Sequence, residues 1–170
     1  MSENIYWSND KKTITGSVKV QGHEQWVAAF NMANVSVENK FDSSRAAQRH
    51  AGEPTVQSLV VQNPLGKDVV MAFDTMAGGK PCGKTTVSVV QSDQNLAVAE
   101  HTYSLADSYV SGVYISYKYA QALTDGVGVV TTIEFTGDEL SIEYDEVGQD
   151  QNKKGKVAVN LSMLKQASSN

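Results

Sequence analysis

Short runs in which apolar and polar residues alternate recur along almost the whole chain, and this period of two constrains the fold more than any other feature. In Thr13–Val20, "TITGSVKV", Ile14, Val18 and Val20 fall in phase. The pattern returns in Trp26–Val37, Val56–Gln62 and Thr85–Gln91, where Val87 and Val89 share a face. It returns again in Lys156–Leu164, with Val157, Val159 and Leu161 in phase. Side chains two residues apart point to the same side of a strand, so each run offers one face to a core and one to water. Glu100–Tyr119 is long enough for two strands, broken or bent near Ala106-Asp107. "GVVTTIEFTGDELSIEY", Gly128–Tyr144, predicts a hairpin turning at Thr136-Gly137-Asp138. Its arms carry Ile133 and Phe135 on one side and Leu140, Ile142 and Tyr144 on the other. Many short alternating strands predict a mostly β chain, a single-domain antiparallel β-barrel over residues 1–170 with its core at about 13–164.

One segment breaks the period. In Asn63–Gly79, Val69, Val70, Phe73 and Met76, with Ala72 and Ala77 beside them, have the spacing of an amphipathic helix. Asn63 before Pro64 predicts its start and Gly78-Gly79 its stop. The barrel thus carries one flanking α-helix. Two polar stretches, Glu38–Pro54 and Asp145–Lys156, read as long extended loops.

The helix ends where "GGKPCGKT", Gly78–Thr85, matches the phosphate-binding pattern G-x-x-x-x-G-K-[ST]. That chemistry requires a strand before the glycine turn and a helix after it, so that the helix N-terminus faces the phosphates. Here the order is reversed: Val87, Val89 and Val90 follow the loop and favour a strand. The match is therefore read as a helix stop and a turn.

No other constellation supplies catalysis, a cofactor site or a metal site. Cys82 is the only cysteine, which excludes an intramolecular disulfide, and it reads as an incidental loop residue. His23, His50 and His101 lack metal-ligand spacing. The acids Asp138, Glu139, Glu143, Asp145 and Glu146 read as solvated faces. Tyr109, Tyr114, Tyr117 and Tyr119 read as barrel or interface packing. A net charge of -5 argues against nucleic acid as a partner, because phosphate backbones demand a basic footprint. No apolar run is long enough to span a bilayer, and "MSENIYWSND" is no secretory leader, so synthesis and folding are expected in a cytoplasm.

Several motifs together resemble the Hcp family, the tube-forming proteins of bacterial type VI secretion systems. "GHEQWVAAFNMANVSV" at Gly22–Val37 is similar to the family's entry into a long strand, and an extended loop follows it at Glu38–Pro54. "VQSLVVQNPLGKDVVMAFDTMAGGK" matches its strand and helix, and "YSLADSYVSGVYISY" at Tyr103–Tyr117 a later run. "TTIEFTGDELSIEYDEVGQDQNKKGK" resembles its closing strands. The loop "SRAAQRHAGEP" and the ending "NLSMLKQASSN" depart from the family's usual Gly/Ser-rich loop and aromatic-containing end, as in a divergent member.

The resemblance implies a non-enzymatic structural protein without cofactor or metal. Six copies would close a ring, and rings would stack into a tube. A sheath would drive that tube out of the cell, with effectors inside it or at its spike, so export would need no signal peptide. It also implies that Arg45, Arg49, His50 and Pro54 contact the next subunit or ring. Two other readings stay open: the tail-tube protein of a contractile phage-like particle, and a monomeric barrel binding a small apolar ligand.

Overall fold

The structure, a computed structural model, describes residues 2–41, 51–93, 96–117, 128–147 and 153–162. These form nine strands and one helix. In chain order they are β1 (Ser2–Asn9), β2 (Val27–Ala29), β3 (Asn31–Phe41), β4 (Ala51–Pro64), α1 (Lys67–Ala77), β5 (Gly83–Asp93), β6 (Leu96–Tyr117), β7 (Val129–Thr136), β8 (Glu139–Val147) and β9 (Lys153–Ser162). Every pairing is antiparallel. The ladder runs β2-β1-β5-β6-β7-β4-β3, with β8 and β9 branching from β6. The two ends of that path, β2 and β3, are successive segments on either side of Phe30, whose N–H donates to Gln62 O at 3.1 Å. Among the described residues chain continuity, not another hydrogen-bonded ladder, thus brings the sheet round into a barrel-like fold.

β6 joins the two halves. Its first part pairs with β5 and β8 and its last part, from Tyr109, with β7. Between them the backbone turns at Asp107, whose φ of +48° lies in the left-handed region that Asp tolerates better than most residues. A register shift at Gly83/Thr85, opposite this point, absorbs the bend. As far as the described residues reach, the long run expected from Glu100 is therefore one bent strand, Leu96–Tyr117.

Registers align the side chains in rows. One row reads Trp7, Val87, Tyr103, Ile142, Val159 from β1 to β9, and the next reads Ile5, Val89, His101, Tyr144, Val157. The other side carries Tyr6, Ser88, Thr102, Glu143 and Ala158. On the apolar side the core gathers Trp7, Leu59, Val61, Val87, Ile133 and Phe135, all fully buried. Trp7 meets Phe135 edge-on with centroids 5.4 Å apart.

Several expectations are corrected. β7 and β8 are both strands, but they form no hairpin: β7 pairs with β4 and β6, β8 with β6 and β9. The turn at Thr136-Gly137-Asp138 is a corner that carries the chain from one part of β6 to the other, with Asp138 N–H bonded to Ala106 O at 3.0 Å. Thr13–Val20 is no strand but part of an irregular segment held by Gly16 N–H to Gln25 O at 2.9 Å and Gln25 N–H to Val18 O at 2.8 Å. β1 lies before the expected core and supplies its central tryptophan. Of the two expected loops, 38–41 and 51–54 belong to β3 and β4, and 145–147 and 153–156 to β8 and β9.

The helix is shorter than expected, with Gly66 as N-cap rather than Asn63. Asn63 is drawn inside instead. It accepts from Trp7 Nε1 at 3.1 Å and donates to Asp68 Oδ2 at 3.1 Å. Those bonds fix the rotation of α1. Asp68, Val69, Ala72 and Thr75 turn inward, leaving Val70 and Phe73 outside although both were expected in the inward stripe.

Candidate functional site

Three places concentrate chemistry-bearing groups, and the first is the phosphate-loop look-alike. α1 ends in a glycine cap of the Schellman type: Gly79 N–H bonds Met76 O at 3.1 Å and Lys80 N–H bonds Thr75 O at 3.0 Å. Gly79 occupies the required left-handed position at φ +58°. The chain then enters β5, so the order is helix, turn, strand. The groups that would hold a nucleotide are engaged elsewhere. Lys84 N–H donates to Asp10 Oδ1 at 2.9 Å, which puts a carboxylate at the loop. Thr85 is fully buried, with Asn9 Nδ2 and Ser108 Oγ each 2.7 Å from its hydroxyl. Cys82 is not an incidental loop residue but part of the core, and burial pushes its thiol upward in pKa. A raised, buried thiol is a poor nucleophile.

The second place escaped the sequence reading, because its members lie far apart in the chain. The irregular segment before β2 folds over the polar face of β1 and β5 and brings His23 onto Ser88 and Glu100. His23 Nε2 is 3.2 Å from Ser88 Oγ and 3.4 Å from Glu100 Oε1, and Ser88 Oγ donates directly to that carboxylate. Tyr6 and Trp26 flank the imidazole at 5.0 and 4.7 Å. The residue types are those of a hydrolase triad, but the wiring differs. In a triad the acid holds one ring nitrogen and the serine the other. Here both partners face Nε2, while Nδ1 is buried without a protein partner. Ser88 is itself buried and gives its proton to the acid, so the group acts as a staple for the covering segment.

The third place is the surface of the wing formed by β8 and β9. Glu143, Ser141, Ser104, Thr102, Thr86 and Lys84 line a shallow polar groove of about 350 Å³ on one side of the sheet. Lys156 Nζ lies 2.9 Å from Glu143 Oε2, and that carboxylate raises the lysine's pKa. On the other side the apolar rows continue outward to Val157 and Val159, both exposed.

The residues singled out from sequence distribute as follows. Arg45, Arg49, His50 and Tyr119 lie outside the described residues, and Pro54 sits in β4 opposite Asn39. Tyr109 and Tyr114 are exposed on β6. Asp138 and Glu139 stand at the β7–β8 corner, half-buried. Among the described residues no group of three His, Cys, Asp or Glu side chains could hold a metal ion.

The model for the family described as "Type VI secretion system effector, Hcp" matches residues 6–150. No curated protein matches the chain. Among solved structures, one described as that of a type six secretion system protein superposes with a TM-score of 0.77 at 19% identity, over 95% of this chain and 96% of its own. Hcp1 from Salmonella typhimurium gives 0.68 at 16% identity, with 96% of each chain covered. Hcp1 from E. coli EAEC 042 gives 0.65 at 11%, with 96% and 99% covered. At such identities the superpositions show a shared fold, while the family match takes in the second half of β1 and every strand from β2 to β8. The chain belongs to the Hcp family of type VI secretion system effectors.

Proposed function

We propose that this chain is the repeating subunit of a type VI secretion inner tube. Six copies close a ring, and rings stack into a tube that a sheath drives out of the cell with effectors in its channel or at its spike. The protein works in a bacterial cytoplasm until firing and is then released outside or into a target cell. It is a structural part, not an enzyme.

Family membership supports this reading, and one observation favours it over a ligand-carrying barrel. Among the described residues the interior is filled: Trp7, Leu59, Val61, Ile133 and Phe135 are fully buried and belong to one core cluster. A carrier of small apolar molecules needs a lumen lined by such residues, not occupied by them. Function then falls to the outer surfaces, as expected of a part whose role is to assemble. Arg45, Arg49, His50 and Pro54 are proposed to contact the neighbouring subunit or ring, where arginines would find carboxylate partners on an acidic protein.

Light scattering after size exclusion, with negative-stain images of the same peak, tests the proposal. Six-fold rings with an open centre are expected. A monomer at every concentration would overturn it.

A further inference from the structure

Five neighbouring strands place a short polar side chain at the same level on the side of the sheet turned away from the core. The registers read Asn160, Ser141, Ser104, Thr86 and Ser8, from β9 through β8, β6 and β5 to β1. With strands about 4.8 Å apart, that row is about 19 Å long. Its middle floors the polar groove of about 350 Å³, and longer side chains wall it. Lys84 and Glu139 stand on one side of the row and Glu143 on the other. Ser141, Ser104 and Thr86 are half-buried, so the floor is recessed.

At its β1 end the row runs into a second recess. Ser8 lines this space of about 170 Å³ together with Asp10, Glu24, Gln25 and Trp26. His23 braces Trp26 edge-on at 4.7 Å. Asp10 is fixed by the Lys84 N–H at 2.9 Å, and a Cβ on Gly83 would lie 1.9 Å from its carboxylate oxygen. Lys12 also lines the recess, and both it and Gln25 hold left-handed backbone, φ +51° and +65°. Strain of that kind in non-glycine residues collects at ligand clamps and similar sites.

The chemistry of the two recesses selects a ligand. Each serine or threonine hydroxyl has one donor and two acceptor positions. The bonds within the row, Thr86 to Ser104 at 3.3 Å and Ser141 to Asn160, use only part of that capacity. β5, β6 and β8 are paired on both sides, so an added peptide strand finds no edge there. Four carboxylates, Glu139, Glu143, Asp10 and Glu24, face two lysines, Lys84 and Lys12, a balance that repels a phosphate backbone. An apolar molecule finds hydroxyls and charges in place of an apolar lining. A polyhydroxylated chain meets every feature. Its hydroxyls are donors and acceptors like those of the floor, the carboxylates accept from them, and the C–H face of a sugar ring packs on an indole.

We propose that the groove and the adjoining recess bind a neutral, extended oligosaccharide, with one sugar ring on Trp26 and the following rings over the row from Ser8 to Ser141. The straight row suits an extended β-linked chain, and the site does not rest on the tube reading.

Titration with cellohexaose and with N-acetylchitohexaose, both neutral and extended, tests this. The chain has two tryptophans and Trp7 is fully buried, so a change in emission on binding reports Trp26. At least one of the two sugars is expected to shift the emission saturably at millimolar concentration or below. Trp26→Ala and, separately, Ser104→Ile in the middle of the floor are each expected to weaken binding about tenfold or more by calorimetry. Circular dichroism checks folding. Ser104→Ile adds a strand-favouring side chain to a half-buried position, so it keeps the test available should Trp26→Ala unfold. Val70→Ser, on the exposed side of α1, is expected to leave binding unchanged. No binding of either sugar at millimolar concentration would overturn the proposal, as would binding that survives both variants. Binding of polygalacturonate or spermine in place of the neutral sugars would overturn it in favour of a charged ligand. Whether the protein forms rings alters none of these outcomes.

Discussion

Trp7 carries the heaviest structural load at the scale of single residues, because it fills the barrel centre and satisfies a buried amide at once. Its ring packs on Phe135, and its N–H supplies the donor for Asn63 Oδ1. Trp7→Ala is expected to cost about 3–5 kcal/mol through lost burial and the cavity left behind. Trp7→Phe keeps most of the packing but orphans the acceptor, at about 1–3 kcal/mol. Urea unfolding measures both. Asp68, at the other end of that chain of bonds, is expected to make stability depend on pH. Burial raises its carboxyl above the ordinary value of 3.8, against smaller lowering effects from hydrogen bonds to the backbone and to Asn63. The folded protein therefore holds this proton more tightly than the unfolded chain. The stability gained is fully present below 3.8 and is lost as pH rises through the raised value. Asp68→Asn keeps a polar partner for Asn63 but cannot titrate. Relative to wild type it is expected to gain stability as the pH is raised from about 3.5 to about 7, and parallel curves for the two proteins would count against this account. None of this network was legible beforehand. Asn63 before Pro64 has every local mark of a helix cap, and only its bonds to Trp7 of β1 and Asp68 of α1 turn its side chain inward.

At the scale of elements, the positions of most strands followed from the period of two, but their partners did not. Val129–Thr136 and Glu139–Val147 have the alternation and turn of a hairpin, yet each pairs with a different part of β6. Alternation states which side chains share a face. It does not state which strand lies next door, and a two-residue connection serves a corner as well as a hairpin. The corner makes its own demand. A Cβ on Gly137 would lie 2.5 Å from Ala106 O and 2.7 Å from Leu105 Cγ. Gly137→Ala is therefore expected to destabilise by about 1–3 kcal/mol through overpacking. Gly79→Ala, which forces an L side chain into the left-handed region at the helix cap, is expected to cost about 1–2 kcal/mol. Thermal melts of the two variants check both values. The existence of the helix and its stop were readable from spacing and glycine. Its phase was ambiguous, because Val69 and Val70 both fit an apolar stripe, and the bond from Asn63 to Asp68 selects between them.

At the scale of the whole molecule, the proposed assembly rests on the outer surfaces, since the described core is packed with Trp7, Leu59, Val61, Ile133 and Phe135. Reversing charge with Arg45→Glu and Arg49→Glu is expected to leave folding intact and weaken ring stacking, read as shorter tubes by negative stain. Unchanged tubes would count against a role for that segment. Millimolar ATP or GTP is expected to leave the melting temperature unmoved, since Asp10 occupies the face of the look-alike loop and Thr85 is buried. By itself the sequence determined the strand-rich class, the single helix, the rejection of the phosphate loop and the family, because alternation, glycine stops and local motifs are written in neighbouring residues. Tertiary structure alone decided the bend of β6 at Asp107, the separate partners of β7 and β8, the staple of His23 on Ser88 and Glu100, and the apolar row that emerges on β9. Each of these depends on residues dozens of positions apart meeting in one place, and such meetings are set by register and packing, which no local pattern encodes.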